Sequence, residues 1–68
     1  MIPQGRVMLF DTLAELCRRY PNWRFGQLVS NVSGWADIDI WDVEDDQLLA
    51  AARAHLDQVA AREREVKI

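Results

Sequence analysis

The stretch YPNWRFGQLVSN spans Tyr20 to Asn31 and contains both a predicted helix end and a predicted helix start. Pro21 disfavours the α conformation at Tyr20, so a first helix, predicted over residues 7–20, should end there. Asn22 is a suitable N-cap because its side-chain oxygen can accept from a free amide of the next turn. We therefore expect a second helix over residues 23–33, which Gly34 should end.

The second predicted helix divides into three faces at 100° per residue. They are an apolar face of Phe25, Leu28, Val29 and Val32, a small-residue face of Gly26, Ser30 and Ser33, and a polar face of Arg24, Gln27 and Asn31. Glycine inside a helix costs roughly 0.5–1 kcal/mol, so the small-residue face indicates that another element packs closely against it. Packing within the chain is the first interpretation, and a seam for a homodimer is the alternative.

Helical spacing of apolar residues continues on both sides of this stretch. Leu9, Leu13, Leu16 and Cys17 form one stripe of the first helix, and Glu15 and Arg19 form a possible i,i+4 ion pair on the other face. A third helix is predicted over residues 44–62. Gln47 stands at its capping-box position, and its apolar stripe ends near Ala60 because Glu63 falls within it.

Residues 35–43 alternate apolar and acidic side chains in a way that helices do not. A single short strand has no partner within this chain, so the segment is predicted to be an extended acidic strap that covers the core. The predicted fold class is an all-α, three-helix domain with this strap. Its predicted core is Leu9, Leu13, Leu16, Tyr20, Phe25, Leu28, Val29, Val32, Ile38, Ile40, Trp41, Leu48, Leu49, Ala52, Leu56 and Val59.

A chain of 68 residues predicts a single domain over residues 1–68, with a loose lead-in at 1–6 and a fraying tail at 63–68. Three tryptophans can supply a large buried area in so small a domain. The N-terminal residues lack the basic and apolar regions of a signal peptide, and no apolar run reaches the roughly 20 residues of a membrane span. With one cysteine, the cytoplasm is the expected compartment.

The net charge of −3 hides a strong local asymmetry. Residues 1–36 carry four arginines and two carboxylates, and residues 47–68 carry four bases and three acids, whereas residues 37–46 carry six carboxylates and no base. Such a local field attracts a cationic partner and repels phosphate. It also suits the N-terminus of the third helix, so the acids have a structural explanation as well.

No residue pattern indicates a metal, a cofactor or catalysis. An EF-hand register that starts at Asp37 places Trp41 and Leu48 at ligand positions, so it fails. One histidine, His55, cannot complete a Cys/His metal site with Cys17. Cys17 lies on an apolar stripe, which is typical of a small core residue, and His55 borders the apolar face of the third helix. We therefore expect no enzyme, no metal and no cofactor.

A helix, a tight turn and a short helix that displays arginine and two amides are typical of a helix-turn-helix reader of DNA. Arg24, Gln27 and Asn31 are of the types that make bidentate contacts with guanine and adenine edges. The acidic total and the shortage of nearby bases argue against nucleic acid, because phosphate contacts need lysine and arginine. In a structural alternative, Arg24 pairs with acids of the strap or third helix, and the two amides bond to backbone carbonyls.

Two segments together resemble a group of short bacterial proteins. They are the Tyr20–Asn31 stretch, with its Pro-Asn-Trp-Arg-Phe-Gly-Gln-Leu pattern, and the DIWDVEDDQLL segment that opens the third helix. The resemblance covers roughly residues 9–56 and implies a bacterial origin and a small helical domain. It implies no activity and no site residue.

The sequence thus favours a non-catalytic protein–protein interaction or adaptor module, with a nucleic-acid binder as the alternative. The module would be homodimeric if the small-residue face is a seam between two copies. The candidate partner-binding residues are Arg24, Gln27, Asn31, Asp37, Asp39 and Asp42.

Overall fold

The computed structural model describes residues 3–66, without the side chains of residues 65 and 66. It contains three helices, α1 (Gln4–Arg19), α2 (Phe25–Trp35) and α3 (Asp45–Val66). No strand occurs within residues 3–66. The predicted all-α, three-helix fold class is therefore confirmed. Residues 1, 2, 67 and 68, at the outer ends of the predicted lead-in and tail, lie outside the described part.

α1 begins three residues earlier than predicted and ends where Pro21 requires. The carbonyl of Pro3 accepts from the amides of Arg6 (3.0 Å) and Val7 (3.2 Å), so the first turn closes directly after the proline. Proline suits this place because its ring presets φ and a first-turn N–H would be unpaired anyway. At the other end, Tyr20 leaves the α region with φ −124° and ψ 68°.

The second and third helices each begin with a cap from a glutamine side chain three residues further along. The amide of Arg24 donates to Oε1 of Gln27 (2.9 Å), and the amide of Glu44 donates to Oε1 of Gln47 (2.8 Å). The capping role predicted for Gln47 is confirmed. The N-cap predicted at Asn22 is wrong, since Asn22 lies in the turn and α2 starts at Phe25. A glutamine three residues past the cap satisfies a free amide as well as a capping asparagine would.

Gly34 does not end α2, as the helix continues through it to Trp35. No glycine of the described residues has a positive φ, and a Cβ placed on Gly34 would meet nothing within 4 Å. The left-handed residue is instead Asp37, with φ 59°, in the turn that follows. The predicted glycine stop is therefore wrong, because the left-handed residue after α2 lies three positions later than Gly34.

Replacing Gly34 with alanine is expected to stabilise the domain by roughly 0.5–1 kcal/mol. Alanine loses less backbone entropy than glycine on folding, and the site has both room and a compatible φ. Thermal unfolding followed by circular dichroism measures the effect, with Ser30→Ala on the exposed surface of the same helix as the control. A lower melting temperature for Gly34→Ala than for the wild type would contradict this account of the helix end.

Residues 36–44, called the connector below, form turns and not the predicted extended strap. The Ser33 hydroxyl donates to the carbonyl of Ile38, whose amide donates back to the Ser33 carbonyl (3.2 Å). Asp39 then closes a second turn, because its carbonyl accepts from the amides of Asp42 (2.9 Å) and Val43 (3.0 Å). The Asp39 side chain adds a further bond, since its Oδ1 accepts from the amide of Trp41 (2.9 Å). Local bonds of this kind favour a turn over an extended chain without a strand partner.

The core lies between the three helices, and every apolar residue that is buried in the described part of the chain was predicted. These residues are Leu9, Leu13, Leu16, Leu28, Val32, Leu48 and Ala52. Phe25, Ile40 and Trp41 were placed in the core wrongly, because they are 60%, 50% and 91% exposed. Cys17 is exposed as well, so the prediction of a small core cysteine is also wrong.

Ion pairs at both ends show that α1 and α3 run side by side in the same direction. Arg6 pairs with Asp45 (2.7 Å) near the two N-termini, and Arg19 pairs with Glu63 (3.0 Å) near the two C-termini. The predicted Glu15–Arg19 pair is replaced by a pair of Glu15 with Arg18 (2.8 Å). Glu63 interrupts the apolar stripe of α3 because it meets α1 through an arginine.

The close approach predicted for the small-residue face of α2 is found only at one end. Ser33 is buried and holds the connector through Ile38. Gly26 and Ser30 are exposed, and a Cβ on Gly26 would meet nothing within 4 Å. The interpretation that Gly26 admits a neighbouring element of this chain is therefore wrong.

Candidate functional site

The most exposed large apolar side chain of the described residues projects from the connector. Trp41 is 91% exposed and its neighbour Ile40 is 50% exposed; the two are called the knob below. The amide of Trp41 donates to Oδ1 of Asp39 (2.9 Å), so the backbone that carries the indole is held in a turn. An exposed tryptophan on an ordered backbone differs from a flexible apolar tail, since little backbone entropy remains to be lost when it is bound.

Carboxylates flank this knob along the chain. Asp37, Asp39 and Asp42, which the sequence indicated as partner-binding residues, are exposed on the same connector, and Glu44 follows them. Asp45, at the start of α3, is instead paired with Arg6. Asp39 also has a structural role in the Trp41 turn, whereas no hydrogen bond or ion pair within residues 3–66 uses the side chains of Asp37 or Asp42. The connector therefore presents an apolar centre with an acidic rim.

The predicted polar residues are all exposed but differ in their contacts: Arg24 precedes the first residue of α2, whereas Gln27 and Asn31 lie within the helix. The Oε1 atom of Gln27 caps the helix, while the side chains of Arg24 and Asn31 are exposed and make no hydrogen bond or ion pair in the described part of the chain. The alternative in which Arg24 pairs with nearby acids is therefore not observed. Gln27 bonds to a backbone amide and not to a carbonyl, because a side-chain oxygen can accept from the free N–H groups of a helix start.

A cluster of four rings joins all three helices: Tyr20, Trp23, Trp35 and His55. Tyr20 stacks on Trp23 with 4.2 Å between ring centroids, and Trp35 stacks on His55 at 3.9 Å. The two tryptophans meet at 6.2 Å in a tilted arrangement. Tyr20 and His55 are joined by a hydrogen bond of 2.7 Å between the hydroxyl and Nε2. The cluster thus connects the end of α1, the end of α2 and the middle of α3.

The charge state of His55 is set by this environment. Partial burial lowers the pKa of the imidazole below its usual 6.5, and the positive charges of Arg19 and Arg62 lower it further. A neutral ring can accept a hydrogen bond at Nε2 from the Tyr20 hydroxyl, whereas an imidazolium can only donate. Both effects favour the neutral imidazole, and its bond to Tyr20 is compatible with that form.

An open groove of about 420 Å³ runs along α3 beside this cluster. Its walls include Trp35, Ala51, Ala54, His55, Val59 and Arg62. It lies between the last residue of α2, Trp35, and the α3 residues from Ala51 to Arg62; α2 has 11 residues and α3 has 22. The lining contains one cation, Arg62, and no carboxylate, which sets the groove apart from the acidic connector.

The ring cluster and the groove were not predicted. Tyr20 and His55 were singled out one at a time, as a core residue and a boundary residue, but 35 positions separate them and no periodic pattern connects them. The Cys17–His55 pair that a thiol enzyme would need lacks support in the geometry, because Nε2 of His55 is bonded to Tyr20 and Cys17 is exposed. Among the described residues, no three His, Cys, Asp or Glu side chains converge on a metal position.

Over residues 3–66, none of the helices combines the length and apolar character that crossing a membrane requires. Comparison of the chain with protein-family models, curated proteins and solved structures gives no match. The resemblance to short bacterial proteins stays a prediction that rests on the two segments quoted for it.

Proposed function

We propose that this chain is a non-catalytic protein-interaction module, of the adaptor type, that binds its partner through the knob and the acidic rim of the connector. The observation that carries the proposal is the 91% exposure of Trp41 on a hydrogen-bonded turn. Tryptophan is strongly enriched among the residues that dominate binding energy at protein interfaces. We also propose a bacterial origin and the cytoplasm as its compartment, where the exposed thiol of Cys17 would stay reduced.

The shape of the connector supports this role. Scattered surface apolar residues are ordinary, but two adjacent large ones at the tip of a turn form a protruding patch. Asp39 accepts from the Trp41, Asp42 and Val43 amides, so the turn is organised before a partner arrives. Pre-organisation reduces the entropy lost on binding, and a single indole can then contribute a large share of the affinity.

The charges define the class of partner. Four exposed acids, Asp37, Asp39, Asp42 and Glu44, lie close to the knob in the chain, and residues 37–46 contain no base. Complementary charges at the rim speed association and reject competitors of the same sign. The partner surface should therefore be an apolar pocket with arginine or lysine at its edge.

Site-specific photocrosslinking tests this assignment. A photoreactive amino acid at position 41 should give a discrete adduct with a protein in living cells, whereas the same probe at the exposed Ser30 of α2 should give none above background. The adduct should weaken when Asp37, Asp39 and Asp42 are all replaced by asparagine. Asparagine keeps the Oδ1 acceptor at position 39 and tolerates the positive φ at position 37, so the fold should be preserved.

Two results would count against the proposal. Equal labelling at positions 41 and 30 would mean that the knob is not a recognition element. Loss of the folded state in the triple asparagine variant, measured by circular dichroism, would make the acids structural and not recognitional.

The nucleic-acid alternative has less support in the contacts. Arg24 and Asn31 are available, but the Gln27 oxygen caps α2, and Arg18 and Arg19 are engaged by Glu15 and Glu63. Phosphate binding needs cations that are not already paired, and these are few near the start of α2. Amide shifts confined to residues 18–31 on titration with duplex DNA at low salt would favour that alternative.

A further inference from the structure

The connector and the groove on α3 have complementary properties. The knob is an indole and an isoleucine inside a rim of carboxylates, and the groove has an aromatic wall, small alanines and Arg62 at its edge. At about 420 Å³, the groove lies within the range of roughly 300–1,000 Å³ typical of pockets that receive a compact apolar group. An apolar protrusion next to negative charges and a partly apolar recess with one positive charge thus occur on one molecule.

We propose that the partner of the knob is a second copy of this chain. In this dimer, Trp41 of each copy enters the groove of the other, beside Trp35 and Arg62. The inference rests on the proposed function, since it names the partner that the same knob binds.

Two-fold symmetry makes both contacts form at once. Trp41 precedes α3, whereas the groove is centred near Gln58, 13 residues past the start of that helix at Asp45. At 1.5 Å per residue this offset is about 20 Å along the axis. If the two α3 helices lie antiparallel, the start of one is level with the groove of the other, and the same contact is made twice.

The residues at the centre of such a pair allow the helices to approach closely. An antiparallel arrangement that matches these two levels has its two-fold axis near Ala51, with Ala54 on the same side of the helix. The separation of packed helix axes depends on the side chains between them, and alanine permits the short end of the range. The exposed indole would then change from the most solvated large side chain of the described residues to an interface residue.

Insertion of the knob into the groove of its own chain is opposed by the connector's hydrogen bonds. Ser33 holds Ile38 through two bonds, and Asp39 holds the turn on both sides of Trp41. Any movement of the connector backbone that brings the indole toward Trp35 of the same copy would act against these bonds. Docking onto a second copy leaves them all intact.

Sedimentation velocity over a concentration series tests the dimer. We expect a reversible monomer–dimer equilibrium that weakens as salt is raised, because charged rims are screened. Trp41→Ala and the groove-filling Ala54→Trp should each raise the dimer dissociation constant by at least about 30-fold, the loss typical of an interface hot spot. Phe25→Ala, at an exposed phenylalanine outside the groove and the connector, should leave it unchanged. Arg62→Glu, which adds an acid to the groove, should weaken the dimer even if Ala54→Trp fails to fold.

Mixing the two disabled variants gives the sharpest result. Trp41→Ala retains its groove, and Ala54→Trp retains its knob, so a mixed dimer has one intact contact of the two. The mixture should associate more tightly than either variant alone. Restoration of this kind is expected only if the knob of one copy meets the groove of the other.

Several outcomes would overturn the second copy as the partner. A strict monomer at about 1 mM would do so, since the corresponding free energy of about −4 kcal/mol is already weak for a specific complex. A dimer that is indifferent to Trp41→Ala, or contacts between Trp41 and His55 in the nuclear Overhauser spectrum of a monomer, would also do so. If the monomer still gives an adduct with another protein from position 41, the interaction function survives and only the identity of the partner is wrong. If position 41 gives no protein adduct at all, both proposals fail.

Discussion

Replacing Leu28 with alanine is expected to lower the free energy of unfolding by about 2–5 kcal/mol. Leu28 is 0% exposed and packs in the hydrophobic core between the three helices. Truncation removes apolar contacts and leaves a cavity that the surrounding helices can fill only in part. A domain of this size buries roughly 60% of its unfolded surface, so such a loss is a large part of its total stability. Urea unfolding followed by circular dichroism measures it.

Phe25→Ala on the same helix is the matched control. Phe25 lies three residues before Leu28 and was predicted to share its apolar face, but it is 60% exposed. Its truncation should change stability by no more than about 0.5 kcal/mol, as is usual for surface positions. Comparable losses for the two variants would mean that Phe25 is part of the core and that the orientation of α2 described above is wrong.

Stability is expected to fall as pH is lowered below about 6.5, because of His55. Burial and the charges of Arg19 and Arg62 lower the pKa of this ring in the folded state. The unfolded chain then binds more protons than the folded chain in this window, so stability rises with pH. The contribution is complete above the ordinary value of 6.5 and is lost as pH falls toward the lowered pKa of the folded state. Unfolding midpoints in urea between pH 7.5 and 5, in about five steps, would show the slope.

His55→Phe separates this effect from general acid sensitivity. Phenylalanine keeps a ring against Trp35 but removes the titrating group and the bond to Tyr20. The free energy of unfolding of this variant should not change over the same pH window. At lower pH it should fall as the carboxylates are protonated, as in the wild type. Arg18 lowers the pKa of Glu15 from its usual 4.5, so that contribution is lost only at more acidic pH. An increase in wild-type stability on acidification would show that attraction between the imidazolium and the Trp35 ring outweighs burial and the two arginines.

Local rules accounted for the helices and much of the core. Pro21 ended α1 through a steric effect on the residue before it, and a glutamine at the third position began α3 through a single hydrogen bond. Helical spacing identified Leu13, Leu28 and Ala52 as buried because one face of each helix must leave water. These effects act over three or four residues, so they can be predicted from residues that are close together in the sequence.

Predictions failed where two nearby rules competed. Asn22 and Gln27 are both good residues for a helix start, and in the structure the glutamine caps α2 while Asn22 lies in the turn, next to Trp23, which stacks on Tyr20. In residues 35–43, alternating apolar and acidic side chains predicted an extended segment, but aspartates also bond to their own backbone. Without a neighbouring strand, the local bonds of Asp39 determine the conformation, and Trp41 turns outward.

The candidate site divides in the same way. Charge alone identified the acidic residues Asp37, Asp39 and Asp42, since the amino-acid sequence shows a block of acids without a base. The exposure of Trp41 was not, because an aromatic residue is expected in a core unless its surroundings are known.

The sequence by itself determined three helices, the leucines that hold them together and the concentration of negative charge in one connecting segment. Each of these follows from interactions between residues close in the chain, together with the tendency of apolar faces to leave water. Only the tertiary structure decided that His55 meets Tyr20 and Trp35, that a groove stays open along α3, and that Trp41 stands in solvent. These depend on the relative lengths and directions of helices that are far apart in sequence, which no local pattern encodes.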